Sequence, residues 1–270
     1  MGIEVRSPVL HPPYRFRWVG LFVVVLTMYA VVLGAVQSLA PPRPESVARV
    51  PAAQSSSPGV EDAPALPVAV PADLIRHTAR PDRVVALTFD DGPDPEYTPQ
   101  VLALLVQYRA AATFCMIGAQ ATRHPELVRE VAAAGMHLCD HTATHDMHLV
   151  DRPEPQIEAE IVAGRAELLT ALGSKIGIDY YRAPAGRWSD PMRQIAARHG
   201  MKPLSWSLDP RDWSRPGVAR IVTTVQQQVQ PGAVILLHDG GGQRDQTVAA
   251  LAKLLPWLVA QGYQFDVPGR

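Results

Sequence analysis

The sequence has little cysteine and almost no net charge. Of its 270 residues two are cysteines, and the formal net charge at pH 7 is −1. Two cysteines provide neither a disulfide framework nor a cysteine-based zinc finger. A nearly neutral chain has no strong overall field to attract nucleic acid or anionic lipid, so we expect no nucleic-acid partner. The hydrophobic fraction of 47% is enough for one substantial domain or two small ones.

The N-terminal region contains a long uncharged, apolar run. It extends from Trp18 to Val36 and follows Arg6, Arg15 and Arg17. An apolar helix of about 20 residues spans the hydrocarbon core of a bilayer, and a basic flank stays in the cytoplasm. We therefore expect residues 1–17 to be cytoplasmic and residues 18–40 to form a transmembrane signal anchor. The protein would then cross the cell membrane once, with the rest of the chain outside it. Residues 38–40, "SLA", also suit a signal-peptidase site, so secretion after cleavage is the alternative.

Composition changes twice after this run. Residues 41–80 are rich in proline, alanine and serine and show no apolar periodicity, which is typical of an extended linker. From residue 81 to residue 270 short apolar runs alternate with helical patterns, which predicts a parallel sheet. The predicted strands lie in RVVALTFDDG, AATFCMIG, MHLCDHT, DYYRAP, KPLSWSLD, AVILLHD and YQFDV. Seven such units predict an α/β fold, a distorted and incomplete (β/α)7 barrel.

Ionisable residues follow the predicted strands at the ends where those strands stop. In barrels of this kind the chemistry is carried at the C-terminal ends of the strands. The pattern therefore predicts a functional site at that rim, formed by Asp90, Asp91, His141, Arg182, Asp209, Asp212, His238 and Asp239.

Two of the rim histidines have metal-ligand spacing. His141 and His145 are four residues apart, so on a helical turn they would share a face. The spacing alone is a weak signal, but a carboxylate from a neighbouring strand would complete an open site for a divalent ion. His148 is close enough in sequence to compete as a ligand.

Five short motifs give the chain a family resemblance. TFDDGP (88–93), HTATH (141–145), RAPAG (182–186), DPRDW (209–213) and LHD (237–239) resemble, in order, the five motifs of the polysaccharide deacetylases. That family is also called the NodB-homology domain, or carbohydrate esterase family four. The resemblance covers roughly residues 83–267. It implies a distorted β/α barrel and the metal-dependent removal of acetyl groups from polysaccharides.

The resemblance also implies roles for individual residues. Asp90 would be the general base, paired with Arg182, and His238 the general acid, oriented by Asp212 rather than by Asp209. The metal, Zn²⁺ in the first place with Co²⁺ as the alternative, would be held by Asp91, His141 and His145. Substrate contacts are expected from a backbone N–H near Ala185, from Leu237, and from Trp188 and Trp213. For each tryptophan, sugar stacking and ordinary packing are equally open.

Two positions depart from the family pattern. Ala185 stands where the family often has an aromatic residue, and Asp140 stands where asparagine is common. We expect Asp140 to add negative potential near the metal. Cys115 and Cys139 lie on neighbouring predicted strands, where a disulfide and two buried thiols both remain open.

The expected partner is a cell-wall polysaccharide, because a domain tethered outside the membrane faces the wall. Peptidoglycan N-acetylglucosamine is the leading substrate. The alternatives are a chitooligosaccharide deacetylase and an O-acetyl polysaccharide esterase. A non-catalytic glycan-binding module is the alternative from another class of protein.

Overall fold

The structure is a computed structural model that describes residues 68–80, 82–173 and 177–269. The predicted transmembrane run and the linker up to residue 67 lie outside the described residues. Within the described part, no helix is both long enough and apolar enough to cross a bilayer.

Among the described residues, seven parallel strands form a curled sheet, as the sequence predicted. In spatial order the sheet runs β5-β4-β3-β2-β1-β6, and β7 pairs with the beginning of β1. The strands are β1 Val84–Asp90, β2 Ala112–Met116, β3 His137–Asp140, β4 Tyr180–Tyr181, β5 Lys202–Pro203, β6 Val234–His238 and β7 Gln264–Phe265. The architecture is therefore a half-barrel of the expected (β/α)7 kind, with all the C-terminal strand ends at one rim.

In the described part of the chain, seven α-helices accompany the strands. They are α1 Thr98–Gln107, α2 Gly118–Arg123, α3 Pro125–Ala133, α4 Glu154–Leu172, α5 Asp190–Arg198, α6 Val218–Gln228 and α7 Asp245–Ala260. Six of them lie where the sequence predicts a helix, in the stretches TPQVLALLVQYR, HPELVREVAAAG, PQIEAEIVAGRAELLTALG, PMRQIAARHG, ARIVTTVQQQV and TVAALAKLLPWLVAQG. The sequence GAQATR of α2 is short and has no apolar periodicity, so this helix gave no signal. It contacts the HTATH loop, because the backbone N–H of Gly118 donates to the carbonyl of Thr142 (2.9 Å).

The two faces of the sheet have separate cores. On β1, Val85, Leu87 and Phe89 pack against the helices, whereas Ala86 packs inside the barrel. This alternation follows from the two-residue repeat of a strand. The interior cluster consists of Ala86, Cys115, Cys139, Tyr180, Leu204 and Val234, with Ile75 and Trp206 packed against it.

Cys115 and Cys139 form a disulfide inside the barrel. They are register partners on the adjacent parallel strands β2 and β3, and both side chains are fully buried. Of the two alternatives that the sequence left open, the structure has the disulfide.

The segment before β1 pairs with the barrel. Ile75 forms a parallel bridge with Leu204, and His77 forms an antiparallel bridge with Ala233. Downstream of β5, Leu208 forms a parallel bridge with Ile235 of β6. Together these contacts close the seam between the two edges of the sheet. The compact domain thus includes residues that the sequence analysis assigned to the linker.

Candidate active site

Asp90 and Asp91 reach the same site although they are adjacent in sequence. Neighbouring residues of a strand point to opposite faces, but β1 ends at Asp90 and Asp91 has a positive φ of 72°. This turn brings both carboxylates to the rim. Gly241 packs against the side chain of Asp91, since a Cβ atom on Gly241 would lie 2.4 Å from Oδ2 of Asp91.

Asp91, His141 and His145 form a group that could hold a metal ion. One ligand atom from each lies within 4.8 Å of the others. Oδ1 of Asp91 is 3.5 Å from Nε2 of His141 and 3.4 Å from Nε2 of His145. Nδ1 of His141 donates to the carbonyl oxygen of Arg182 (2.8 Å). That bond places the proton on Nδ1 and leaves the Nε2 lone pair for a cation, so the residues fit a divalent metal.

The charge states of Asp91 and His145 suit a cation, whereas the pKa of His141 is raised: burial lowers it, but the charge of Asp90 and the hydrogen bond and charge of Asp91 outweigh that effect. Burial raises the pKa of Asp91, but the hydrogen bond with His141 and the charges of the nearby histidines outweigh it, so the pKa is lowered. Burial lowers the pKa of His145, and the charge of His141 lowers it further. A carboxylate and a neutral imidazole are the forms that bind metals.

Asp90 contacts a buried arginine. Oδ1 of Asp90 is 2.5 Å from Nη1 of Arg182, whose side chain is completely buried. Nη1 also donates to Oγ1 of Thr88 (3.0 Å). The other two guanidinium nitrogens donate to the carbonyls of Leu204 and Ser205 (3.2 Å each). The guanidinium is therefore fixed on every side, and it fixes one oxygen of Asp90.

His238 and Asp212 form the second pair of the rim. Nδ1 of His238 is 2.8 Å from Oδ1 of Asp212, and the backbone N–H of His238 donates to Oδ2 (2.9 Å). Burial lowers the pKa of His238, but the hydrogen bond and charge of Asp212, with Asp90 and Asp91, raise it to about 9. The imidazole ring is therefore doubly protonated and positively charged at neutral pH. Asp209 instead accepts the backbone N–H of Arg211 (2.6 Å).

The expected substrate-contact residues divide into two groups. Trp213 is 45% exposed beside Asp212, and Ala185 is exposed in a left-handed turn with φ of 53°. Trp188, by contrast, packs edge-on against Tyr181, with ring centroids 5.5 Å apart, and contacts the helix-side core. Trp213 and Ala185 thus remain open to a ligand, whereas Trp188 is mainly a packing residue.

Leu237 does not reach the rim. It is 1% exposed and belongs to the core between sheet and helices. Strand alternation gives Leu236 the same face as His238 and puts Leu237 on the other. Leu236 is itself only 3% exposed, so a substrate contact from Leu237 stays a prediction that its burial does not favour.

Asp140 does not add charge to the metal group. Its side chain points away from His141 toward α4, where a Cβ on Gly164 would lie 2.4 Å from Oδ1. That oxygen accepts the backbone N–H of Thr142 (3.0 Å). Complete burial raises the pKa of Asp140 well above its usual value, which favours the uncharged form. The carboxyl group that was expected to add negative potential near the metal therefore lies outside the metal group.

His148 also lies outside the metal group. It is exposed and contacts Asp151, with Nδ1 to Oδ2 at 3.6 Å.

Two threonines that were not expected at the site position residues of the rim. Oγ1 of Thr142 accepts the backbone N–H of His145 (3.0 Å), and Oγ1 of Thr247 donates to Oδ2 of Asp212 (2.7 Å). The rim was located from its ionisable residues, and a neutral threonine does not contribute to that pattern. The only sequence feature that could have pointed to Thr142 is its position between His141 and His145.

The rim loops hold strained backbone. Non-glycine residues with positive φ are uncommon, and they persist where the surroundings over-determine them, often at functional sites. Six of those in the described chain lie in the loops of this rim: Asp91, Thr142, His145, Ala185, Arg211 and Arg215.

Comparisons with known proteins show the family of this chain. The sequence profile of the family described as polysaccharide deacetylase matches residues 77–204. A Bacillus cereus protein named peptidoglycan-N-acetylglucosamine deacetylase is 43% identical over 186 residues, which is 68% of this chain and 85% of that protein. A Sinorhizobium fredii chitooligosaccharide deacetylase is 42% identical over 190 residues, 66% of this chain and 87% of that one.

A solved structure gives the same result. A peptidoglycan N-acetylglucosamine deacetylase in complex with an N-oxidanyl-benzamide matches with a TM-score of 0.67 at 30% identity. The match covers 72% of this chain and 89% of that chain. The chain therefore belongs to the polysaccharide deacetylase family, the NodB-homology domain of carbohydrate esterase family four. It is a hydrolase that acts on carbon–nitrogen bonds other than peptide bonds.

Proposed function

We propose that this protein removes the N-acetyl group from N-acetylglucosamine in peptidoglycan, outside a membrane to which residues 18–40 anchor it. One observation carries the chemistry: the Asp91, His141 and His145 group shares the rim with two proton-handling pairs, Asp90–Arg182 and His238–Asp212, and Asp90 and His238 are register partners on adjacent strands. The name of the Bacillus cereus relative and the predicted anchor support the choice of polymer.

The metal would be held by Asp91, His141 and His145, with Zn²⁺ as the first candidate and Co²⁺ as the second. When bound, such an ion polarises the acetyl carbonyl and makes a water molecule more acidic. Two imidazoles and one carboxylate are a ligand set that zinc hydrolases use.

Asp90 is the general base in this proposal. Its free oxygen, Oδ2, lies 3.6 Å from Nε2 of His141, so it faces the metal group, while Arg182 holds the other oxygen. A carboxylate in that place accepts the proton of the attacking water. A backbone N–H near Ala185 donates to the oxyanion of the intermediate.

His238 is the general acid. The proton at its Nδ1 is held by Asp212, so Nε2 is the atom that donates to the departing amine. The bond between the acetyl carbon and the sugar nitrogen breaks, and the products are acetate and a free amino group. Trp213 offers an exposed ring on which a sugar stacks.

Chitooligosaccharides are the second candidate substrate, because the Sinorhizobium fredii relative carries that name. The residues described here suit either glycan, since both present an N-acetylglucosamine unit. A non-catalytic binding module is disfavoured, because a binder has no need of base, acid and metal ligands together.

The test of this proposal is acetate release. The full chain is incubated with Zn²⁺ or Co²⁺ and, separately, with peptidoglycan, chitin oligomers and acetylated xylan. We expect the fastest release from peptidoglycan. Release from chitin oligomers alone would select the second candidate, and release from xylan alone would indicate an O-acetyl esterase.

A further inference from the structure

A surface cleft lies on the outer side of the loop that carries Asp212. It has a volume of about 500 Å³ and runs between the stretch 209–216 and helix α6. Arg211 and Arg220 line it, together with the hydroxyl-bearing residues Ser214 and Thr224. Arg211 immediately precedes Asp212, the residue that holds His238, so the cleft adjoins the loop that positions the proposed general acid.

Neither cleft arginine has an acidic partner among the described residues. Exposed arginines elsewhere in the described chain do form such pairs, as Arg152 does with Asp146 (2.9 Å) and Arg215 does with Asp245 (3.2 Å). Two unpaired guanidinium groups in one concave surface form a site of positive potential, and a guanidinium binds a carboxylate through two parallel hydrogen bonds.

Arg211 is held in place before any ligand arrives. Its backbone is in the left-handed region, with φ of 57°, and its guanidinium carbon lies 5.2 Å from the centre of the Trp213 ring. Stacking on an aromatic face restricts the side chain, so less conformational entropy is lost when it binds an anion. Trp213 therefore connects the cleft with the sugar site.

One carboxylate also lines the cleft, but it is engaged with the loop. Oδ1 of Asp209 accepts the backbone N–H of Arg211, and neither cleft arginine lies within ion-pair distance of Asp209. On the opposite wall, Arg220 and Thr224 are four residues apart on α6 and share one helical face. The cleft thus presents two cations, one carboxylate and the hydroxyl of Thr224 to a ligand, with the cations in excess.

From this geometry we infer that the cleft is a subsite for a carboxylate carried by the polymer, next to the sugar that is deacetylated. The inference rests on the proposed function and makes it more specific: the preferred substrate is a glycan with carboxylate-bearing substituents, rather than a neutral one. The sugar stacks on Trp213, and its acidic substituent reaches Arg211 and Arg220.

The experiment compares two forms of one polymer. Soluble peptidoglycan strands with free peptide carboxylates are tested beside the same strands after amidation of those carboxylates. Binding to the metal-loaded full chain is measured by calorimetry, and kcat/KM by acetate release. The variants are Arg211→Gln, Arg220→Gln and the double variant. Arg123→Gln is the matched control, because Arg123 ends α2, bonds to Gln120 and does not line the cleft.

The wild-type protein is expected to bind the free-carboxylate strands roughly 3- to 10-fold more tightly than the amidated strands, the range of one or two partly exposed ion pairs. Each cleft variant should reduce this ratio, and the double variant should bring it to 1, while Arg123→Gln keeps the wild-type ratio. A wild-type ratio of 1, or a double variant that keeps the preference, overturns the inference. Absence of acetate release from both polymers contradicts the proposed function. The binding ratio then tests separately whether the cleft binds a carboxylate.

Discussion

The carbonyl oxygen of Arg182 accepts a 2.8 Å hydrogen bond from Nδ1 of His141, while the guanidinium of the same residue contacts Asp90 at 2.5 Å. One residue therefore orients a metal ligand with its backbone and the proposed base with its side chain. The two functions can be separated by substitution, since a side-chain change leaves the carbonyl in place.

Arg182→Met should abolish most acetate release yet retain most metal affinity. Removing one partner of a buried ion pair leaves the carboxylate of Asp90 uncompensated, which costs about 3–5 kcal/mol of unfolding free energy. The measurements are urea unfolding, metal titration and acetate release on the same preparation. Arg193→Met, which removes a partly exposed arginine next to Asp190, is the control for stability. Full activity in Arg182→Met would contradict the role of the Asp90 pair.

Asp212→Asn should move the basic limb of the pH–rate profile toward lower pH. Asp212 contributes to the raised pKa of His238, about 9, so loss of its charge lowers that pKa and the acid loses its proton earlier as pH rises. The same contact stabilises the fold below the unfolded-state histidine pKa of about 6.5, and that contribution is lost as pH rises toward 9. The checks are kcat against pH and unfolding free energy against pH. An unshifted basic limb would show that the titration of His238 does not determine the pH dependence of kcat.

His238→Ala separates amide from ester hydrolysis. An amine must be protonated as it leaves, whereas an activated phenolate leaves readily without an acid. We therefore expect a loss of roughly 100-fold or more on N-acetyl substrates and a much smaller loss on aryl acetates. Equal losses on the two substrates would show that His238 has another role.

The membrane anchor is tested by the mature N-terminus. If residues 18–40 remain as a signal anchor, the protein fractionates with membranes and keeps its first residues. N-terminal sequencing of the protein from its native host decides this. A mature chain that begins near Pro41 would show that the segment is a cleaved signal.

The sequence predicted the strands and most helices because short apolar runs alternate regularly with stretches of helical periodicity. It also located the ionisable residues of the rim, since each follows a strand. What it missed depends on side-chain direction. Leu237 was expected to contact the substrate and Asp140 to lie near the metal, although alternation along β6 and β3 turns both side chains toward the helices. The turn at Asp91, which brings two adjacent carboxylates together, depends on tertiary contacts with Gly241 that no local pattern indicates.

The most direct test of the account compares Asp90→Asn with Asp91→Asn. The two residues are adjacent, yet their proposed roles differ: Asp90 accepts a proton and Asp91 binds the metal. Asp90→Asn should bind the metal almost normally and release no acetate at any metal concentration, because an amide cannot accept the proton of water. Asp91→Asn should bind the metal weakly and recover part of its activity as metal is added, since a neutral oxygen remains as a poorer ligand. The measurement is metal stoichiometry beside acetate release across a metal titration. Loss of the metal in Asp90→Asn with retention in Asp91→Asn would reverse the two roles, and full activity in both would contradict the site.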